Sequence, residues 1–181
     1  MSKQKHEKLI IEGTALWAKL HKPSAPGDYK QMYEIDIVVD DETAKTLHAK
    51  GIKIGRAKNL ESIPEELHGK PTVKAKSNYM KADGTTNGPI RTVDSTGKNK
   101  VTADVGNGST VRVATTLVPY NRSGNTGIFV ALNAVQVINL IEYSGGSDLF
   151  DAVDGGFVAD TTVEETTETT NTTTTTDDMP F

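Results

Sequence analysis

The sequence predicts a mainly β domain over residues 1–144, an antiparallel barrel or sandwich with one short helix, followed by a disordered acidic tail over residues 145–181. Roughly six segments alternate apolar with polar residues or form short apolar runs, which is typical of strands. Loops rich in Gly and Pro separate them. The final segment is rich in Thr and acidic residues and has little apolar surface to bury, so we expect it to remain unfolded.

The first two strands are predicted over residues 9–20 and 29–39, and we expect them to pair as a hairpin across the Pro-containing loop 21–28. Gly13 indicates a bulge or a tight bend in the first strand, as a small barrel requires. The second strand alternates clearly. One face carries Tyr29, Gln31, Tyr33, Ile35, Ile37 and Val39, and the other carries Lys30, Met32, Glu34, Asp36 and Val38.

One helix is predicted over residues 41–50. It follows Asp40, a favourable N-cap residue, and acidic side chains in its first turn suit the helix dipole. Ala44 and Leu47 lie three residues apart on one face, and Lys50-Gly51 is a termination signal. The acidic residues here also resemble a cation-binding cluster, but helix capping explains them more simply. That cluster consists of Asp36, Asp40, Asp41 and Glu42.

Four further strands are predicted downstream, over residues 71–79, 89–93, 110–120 and 127–143. Pro89 favours an edge position for the short strand at 89–93. Between the elements we expect a short helical turn at 63–67, polar loops at 81–88 and 94–100, a tight turn at 106–109 and a hairpin loop at 121–126. Val73, Ala75, Ser77 and Tyr79 share one face opposite Lys74 and Lys76, and Ile128, Val130, Leu132 and Ala134 share another.

The formal net charge of −4 averages two regions of opposite sign. Residues 145–181 contain nine Asp or Glu and no Lys or Arg, so the rest of the chain has a net charge of +5. Residues 43–141 contain 14 Lys or Arg against six Asp or Glu. A basic domain with an acidic tail is typical of a protein that binds a polyanion and carries a tethered competitor for it.

Enzyme signals are weak, and we predict no catalytic residues, no cofactor and no metal site. There is no cysteine, no nucleophile-elbow motif and no phosphate-binding lysine loop. The four histidines lack metal-ligand spacing. Because no apolar run is long enough for a signal peptide or a membrane span, we expect a cytoplasmic protein, in the host cell if a phage encodes it, without a membrane partner.

Binding signals are stronger, because cations and aromatic rings alternate along the basic part of the chain, as single-strand binding requires. For Trp17 and Phe129, burial in the core and a binding role are equally consistent with the sequence. The predicted nucleic-acid-binding residues are Lys53, Arg56, Lys58, Lys70, Lys74, Lys76, Tyr79, Lys81, Arg91, Lys98, Lys100, Arg112, Tyr120 and Arg122.

The chain closes on an acidic tip with an aromatic last residue. Its ring and the charges before it suit a basic pocket with an apolar floor on another protein, although a tail that only aids solubility fits the composition too. The predicted partner-binding residues are Asp177, Asp178, Met179, Pro180 and Phe181.

This tip resembles that of bacterial single-stranded DNA-binding proteins, which typically reads Asp-Asp-(Asp/Glu)-(Ile/Leu)-Pro-Phe. Met179 stands where that family has Ile or Leu, and the Thr-rich linker favours a phage protein over a bacterial one. The body is similar to phage single-stranded DNA-binding proteins as well, in its His-Lys-Pro loop, its Tyr-Lys-x-x-Tyr strand and its Gly-Asn-Gly-Ser turn before Thr-Val-Arg-Val.

The resemblance implies a five-stranded OB-fold-like barrel, single-stranded DNA in a basic cleft, and a tail that recruits replication proteins such as a polymerase or a helicase-primase. The predicted function is therefore coating of single-stranded DNA during phage replication, recombination and repair. The alternative is a structural or adaptor protein of a virion, which would not bind DNA.

Overall fold

The computed structural model describes residues 6–24 and 31–142. Strands dominate this part of the chain, as predicted. In chain order the elements are β1 (Glu7–Lys19), β2 (Met32–Val38), α1 (Asp41–Ala49), β3 (Gly55–Arg56), a 3₁₀ turn (Glu65–Leu67), β4 (Pro71–Asn78), β5 (Arg91–Val93), β6 (Thr110–Arg122) and β7 (Asn125–Asn139). The predicted tail, residues 145–181, lies outside the described residues.

Five strands form a closed ring in the order β4-β2-β1-β6-β7. All neighbours along this order are antiparallel, and the ring closes through a parallel contact between β4 and β7, where Lys76 pairs with Ala131. The two-residue β3 extends the sheet beside β4, and β5 pairs in parallel with β7 at the other edge. The predicted β1–β2 pairing, the five-stranded ring and the edge position of β5 are confirmed.

Alternation along the strands decides which side chains fill the ring. Ile35 and Ile37 of β2, and Val73 and Ala75 of β4, are fully buried in it. The residues between them, which are mostly charged, point outward. A second, smaller cluster forms outside the ring, where the segment before β4 covers part of β1 and β2. It consists of Leu16, Val38, Ala57, Ile63 and Leu67.

The helix begins and ends where its signals predict. The Thr43 backbone N–H donates to Asp40 Oδ1 at 2.6 Å, and this bond holds the pKa of the Asp40 carboxyl below its usual value. Gly51 follows the C-cap residue Lys50 with a φ of 88°, a conformation that a residue with a Cβ rarely adopts. Capping therefore accounts for the acidic residues at this helix start.

Two bulges shift residues away from their predicted positions. In β1 the irregularity lies between Leu16 and Lys19 rather than at Gly13, where a Cβ would instead collide with the Val38 carbonyl oxygen of β2. In β7 the register with β6 shifts after Leu132, so that Val135 is buried and Ala134 is only partly covered. The prediction that Ala134 shares the inner face is wrong, because the extra residue reverses the alternation.

The β6–β7 connection is tighter than predicted. The strands continue to Arg122 and Asn125, so the turn consists of Ser123 and Gly124 alone, with φ of 50° and 85°. Two consecutive positive φ angles match the two-residue turns that suit the twist of a hairpin. The predicted loop over residues 121–126 is therefore too long, whereas Tyr120 lies in a strand, as predicted. Within the described ranges, no helix has the length and the apolar character that crossing a bilayer requires.

Candidate nucleic-acid interface

A groove of about 690 Å³ runs over the outer faces of β2 and β4, between the segment after α1 and the β6–β7 hairpin. Its walls combine cations with apolar and aromatic side chains. The cations are Lys53, Arg56, Lys58, Lys74 and Lys76, and the rings are Tyr120 and Phe129. We call this site the basic groove.

The alternation of β4 places two of these cations. Because Val73 and Ala75 fill the ring, Lys74 and Lys76 must point outward into the groove. Each faces an acidic residue of β2 across the antiparallel pair, Lys74 opposite Asp36 and Lys76 opposite Glu34. Cross-strand pairing of opposite charges stabilises this part of the sheet.

A row of ion pairs begins in the basic groove and continues over the outer faces of β2 and β1. Lys74 Nζ lies 3.3 Å from Asp36 Oδ1 and 3.8 Å from Glu34 Oε2, and Lys19 Nζ lies 3.9 Å from Glu34 Oε1. The Asp36 side chain is only 17% exposed, so burial raises the pKa of its carboxyl, and Lys74 partly opposes that shift. Acidic neighbours thus offset the charge of Lys74.

Other groove cations are not neutralised in this way. Among the described residues, Lys53, Lys58 and Lys76 have no ion-pair partner within 4.0 Å. Arg56 is positioned by the backbone, since its Nη1 donates to the Gly69 carbonyl oxygen at 2.9 Å. The groove therefore presents positive charge that is available to an anionic ligand.

Tyr120 packs against a residue without a side chain. It pairs across the hairpin with Gly127, where a Cβ would come within 2.6 Å of the Tyr120 Oη and 2.8 Å of its Cζ. The residue as a whole remains 45% exposed. Phe129 lies two residues further along β7 and is partly buried in the same groove. The two rings offer aromatic surface beside the cations.

Six predicted binding residues thus meet in one groove, whereas the others lie elsewhere. Lys70 lines a neighbouring cleft with Arg56. Tyr79 is partly buried against the core, with its ring edge-on to Tyr33 at 6.0 Å and 71°. Arg112 pairs with Glu12 of β1 at 3.5 Å. The remaining ones lie on exposed loops, on β5 and at the hairpin end; they are Lys81, Arg91, Lys98, Lys100 and Arg122. Residues 177–181 lie outside the described residues.

Sequence reasoning missed the groups that modulate the site. Glu34 and Asp36 face the cations of β4, and their alternation on the outer face of β2 was the available signal. Gly127 supports the Tyr120 ring; the predicted hairpin already placed the two residues opposite each other, but the contact with the ring became evident only from the structure. Phe129, for which burial and binding were equally consistent, lies in the groove.

Compared by sequence, the chain matches no protein-family model and no curated protein. Compared by fold, it is similar to gp2.5, a single-stranded DNA-binding protein encoded by bacteriophage T7, with a TM-score of 0.51 and 22% identity over 86% of this chain and 100% of that one. It is also similar to the single-stranded DNA-binding protein of bacteriophage Enc34 in complex with single-stranded DNA, with a TM-score of 0.53 and 12% identity over 76% and 89% of the two chains. These likenesses confirm the OB-fold-like architecture that the resemblance to phage proteins implied.

Proposed function

We propose that this protein binds single-stranded DNA in the basic groove without strong sequence preference. The observation that carries the proposal is the combination, in one groove, of unpaired cations with the exposed ring of Tyr120. Cations attract the phosphates, and aromatic faces stack any base, because every base has a π-face. Lys74, Lys76 and the two rings lie on strands, which position them before the ligand arrives, whereas Lys53 and Lys58 lie on the segment after α1.

The similar fold of two phage proteins supports this assignment, since both are single-stranded DNA-binding proteins and one was solved with single-stranded DNA. In the finer form of the proposal, the protein is not an enzyme and coats DNA during phage replication, recombination and repair, in the cytoplasm of the host. Residues 177–181 would then recruit replication proteins such as a polymerase or a helicase-primase.

The first test is the salt dependence of binding. Each phosphate contact releases condensed counterions, with a slope of about −0.7 per contact for single strands. If Lys53, Lys58 and Lys76 each contact one phosphate, the plot of log affinity against log salt has a slope of about −2. Anisotropy of labelled oligo-dT between about 50 and 200 mM salt measures it. Flat affinity would contradict a phosphate-binding groove.

Two variants locate the contacts. Lys53→Gln and Lys76→Gln should each weaken binding and reduce the slope by about 0.7. Lys45→Gln is the matched control, because Lys45 is exposed on α1 and lies outside the groove. Equal effects of all three substitutions would indicate attraction by net charge rather than a defined site. A structural or adaptor protein of a virion would show no binding in either experiment.

Recruitment through the tip is tested separately. Removing residues 177–181 should leave the affinity for oligo-dT nearly unchanged at physiological salt while abolishing capture of the phage or host replication proteins. Capture that survives this truncation would refute the role of the tip without affecting the role of the groove.

A further inference from the structure

Trp17 occupies a backbone conformation that bulky residues rarely adopt. Its φ is 53°, within the bulge that follows Leu16. The structure holds it there, because the Trp17 backbone N–H donates to Asn107 Oδ1 at 2.8 Å and Asn107 Nδ2 donates to the Ser62 carbonyl oxygen at 2.7 Å. Strained conformations that neighbouring groups enforce are concentrated at functional sites.

This conformation places the indole in the wall of a cavity of about 350 Å³. Leu20 and Val105 supply further apolar surface, and Lys22 and Asp104 add charge. Trp17 is 39% exposed, although it has the largest apolar side chain there. We call this cavity the Trp17 pocket. Its volume lies at the lower end of the range for ligand pockets and suits one small planar group.

The row of ion pairs that begins in the basic groove extends to the Trp17 pocket. Lys19 lines the pocket and reaches Glu34, and Glu34 in turn reaches Lys74 in the groove. Both contacts are shorter than 4.0 Å. Glu34 therefore lies between one lysine that lines the pocket and one that lines the groove.

We propose that the Trp17 pocket is a second base-binding site, which takes a nucleobase from the same DNA strand that occupies the basic groove. The inference rests on the proposed function and extends it. The base stacks on the indole, Leu20 and Val105 cover its edges, and Lys22 binds the adjoining phosphate. The Asp104 carboxylate, which also lies 3.4 Å from His21 Nδ1, accepts from a base N–H group.

The charges favour a nucleotide over an acidic peptide as the occupant. Asp104 is largely exposed, so it repels an acidic side chain, whereas it is a suitable partner for the N–H donors on the edge of a base. A nucleotide also supplies a phosphate that the Lys22 ammonium group can bind. A long polyanion can occupy the pocket and the basic groove at the same time, whereas a short peptide cannot.

Intrinsic fluorescence tests the proposal directly, because Trp17 is the only tryptophan of the chain. Oligo-dT of about 16 nucleotides should quench Trp17 emission with the same midpoint that anisotropy reports, whereas one of about four nucleotides should bind the groove without quenching. Trp17→Ala should weaken binding of the long oligonucleotide by roughly five- to 150-fold and leave the short one unaffected.

Two further variants keep the test valid if Trp17→Ala does not fold. Trp17→Phe retains an aromatic face and should lose less affinity than the alanine variant, and Lys22→Gln should reduce the salt slope for the long oligonucleotide by about 0.7. Thermal melts of each variant show whether the fold is intact. A loss of affinity confined to long oligonucleotides supports the pocket.

The contrary outcomes are distinct. If long oligo-dT binds, but neither Trp17 emission nor the affinity of the Trp17 and Lys22 variants changes, the pocket is not a base site and the basic groove stands. If the acidic peptide Asp-Asp-Met-Pro-Phe, which is residues 177–181 of this chain, quenches the emission and no oligonucleotide does, the pocket is a protein-docking site instead. If no oligonucleotide binds the wild-type protein at all, the proposed function fails together with this inference.

Discussion

At the scale of single residues, the position of the Tyr120 ring depends on the absence of a side chain at Gly127. The ring lies within contact distance of the Gly127 backbone, in the space that a Cβ would fill. Packing against the strand fixes one side of the ring and leaves exposed surface toward the groove. A ring that is held in place loses little conformational freedom when a base stacks on it.

Gly127→Ala should therefore displace the Tyr120 ring and weaken DNA binding about as much as Tyr120→Ala, by roughly 1–3 kcal/mol. The double variant should bind no more weakly than either single one, because both remove the same stacking surface. Anisotropy with oligo-dT measures all three. Gly88→Ala is the control, since its Cβ would meet nothing within 4 Å. Additive losses would show that Gly127 acts independently of the ring.

Asp36 gives the basic groove a dependence on pH. Burial raises the pKa of its carboxyl above the ordinary value of 3.8, and its negative charge offsets that of Lys74. Because the folded state binds this proton more tightly than the unfolded state, stability attributable to Asp36 falls as the pH rises from 3.8 through the raised pKa. Over the same window, ionisation of Asp36 reduces the positive charge of the groove.

We therefore expect DNA affinity to increase as the pH falls from 7 into that window. Asp36→Asn should bind more tightly than the wild type at pH 7 and should lose most of the dependence on pH. Anisotropy at constant salt measures both effects. Asp83→Asn is the control, because Asp83 lies in an exposed loop where bonds from Thr85 lower the pKa of its carboxyl. If Asp36→Asn binds no more tightly, Lys74 does not contact DNA.

At the scale of elements, the conformation of the basic loop at residues 94–100 depends on the carboxylate of Asp94. Asp94 accepts hydrogen bonds from the Thr96 hydroxyl and the Asn99 amide, each at 2.6 Å, and these bonds lower the pKa of Asp94 to about 2. The loop between them carries Lys98. The stability that this carboxylate contributes is present above pH 3.8 and is lost as the pH falls through about 2.

Asp94→Ala should loosen this loop while leaving the sheet intact. Hydrogen exchange should become faster at residues 96–99, whose N–H groups the carboxylate and its turn organise. Exchange in β6 should not change. Thr102→Ala, an exposed substitution just beyond the loop, provides the control. Unchanged exchange at 96–99 would mean that the backbone turn is stable without its carboxylate.

The elements also show how far sequence patterns reach. Alternation predicted the faces of β2 and β4 correctly, because the two strands pair with each other in unbroken register and their alternate residues Ile35, Ile37, Val73 and Ala75 fill the ring. It failed in β7, where a bulge reverses the faces after Leu132. The position of a bulge depends on the register with the partner strand, and no local pattern within β7 records that register.

The sequence predicted which residue types form the candidate site, but it did not predict which of these residues lie close together in the fold. Lys74 and Lys76 followed from the polar face of one strand, whereas their proximity to Phe129 and Tyr120 depends on the closure of the ring between β4 and β7. That closure joins segments far apart in the chain. For the same reason the sequence suggested a binding role for Tyr79, whose prediction stays untested, although its ring packs against Tyr33.

At the scale of the whole molecule, the net charge of the chain is opposite in sign to the net charge of its basic part. Residues 1–144 have a net charge of +5, whereas the complete chain has −4. Long-range attraction between a protein and a polyanion depends on the total field and accelerates association when the signs are opposite. Salt screens this field over roughly 8 Å at physiological ionic strength, so the effect is largest in dilute buffer.

Deleting residues 145–181 should therefore increase both the association rate and the affinity for oligo-dT, most strongly at about 50 mM salt and least at about 200 mM. Stopped-flow fluorescence measures the rate. A full-length variant in which the nine acidic residues after Gly145 become Asn or Gln separates charge from chain length, and it should reproduce the deletion. If only the deletion accelerates binding, the tail hinders DNA by its bulk. If neither variant changes the rate at low salt, the acidic residues do not influence the approach of DNA to the groove.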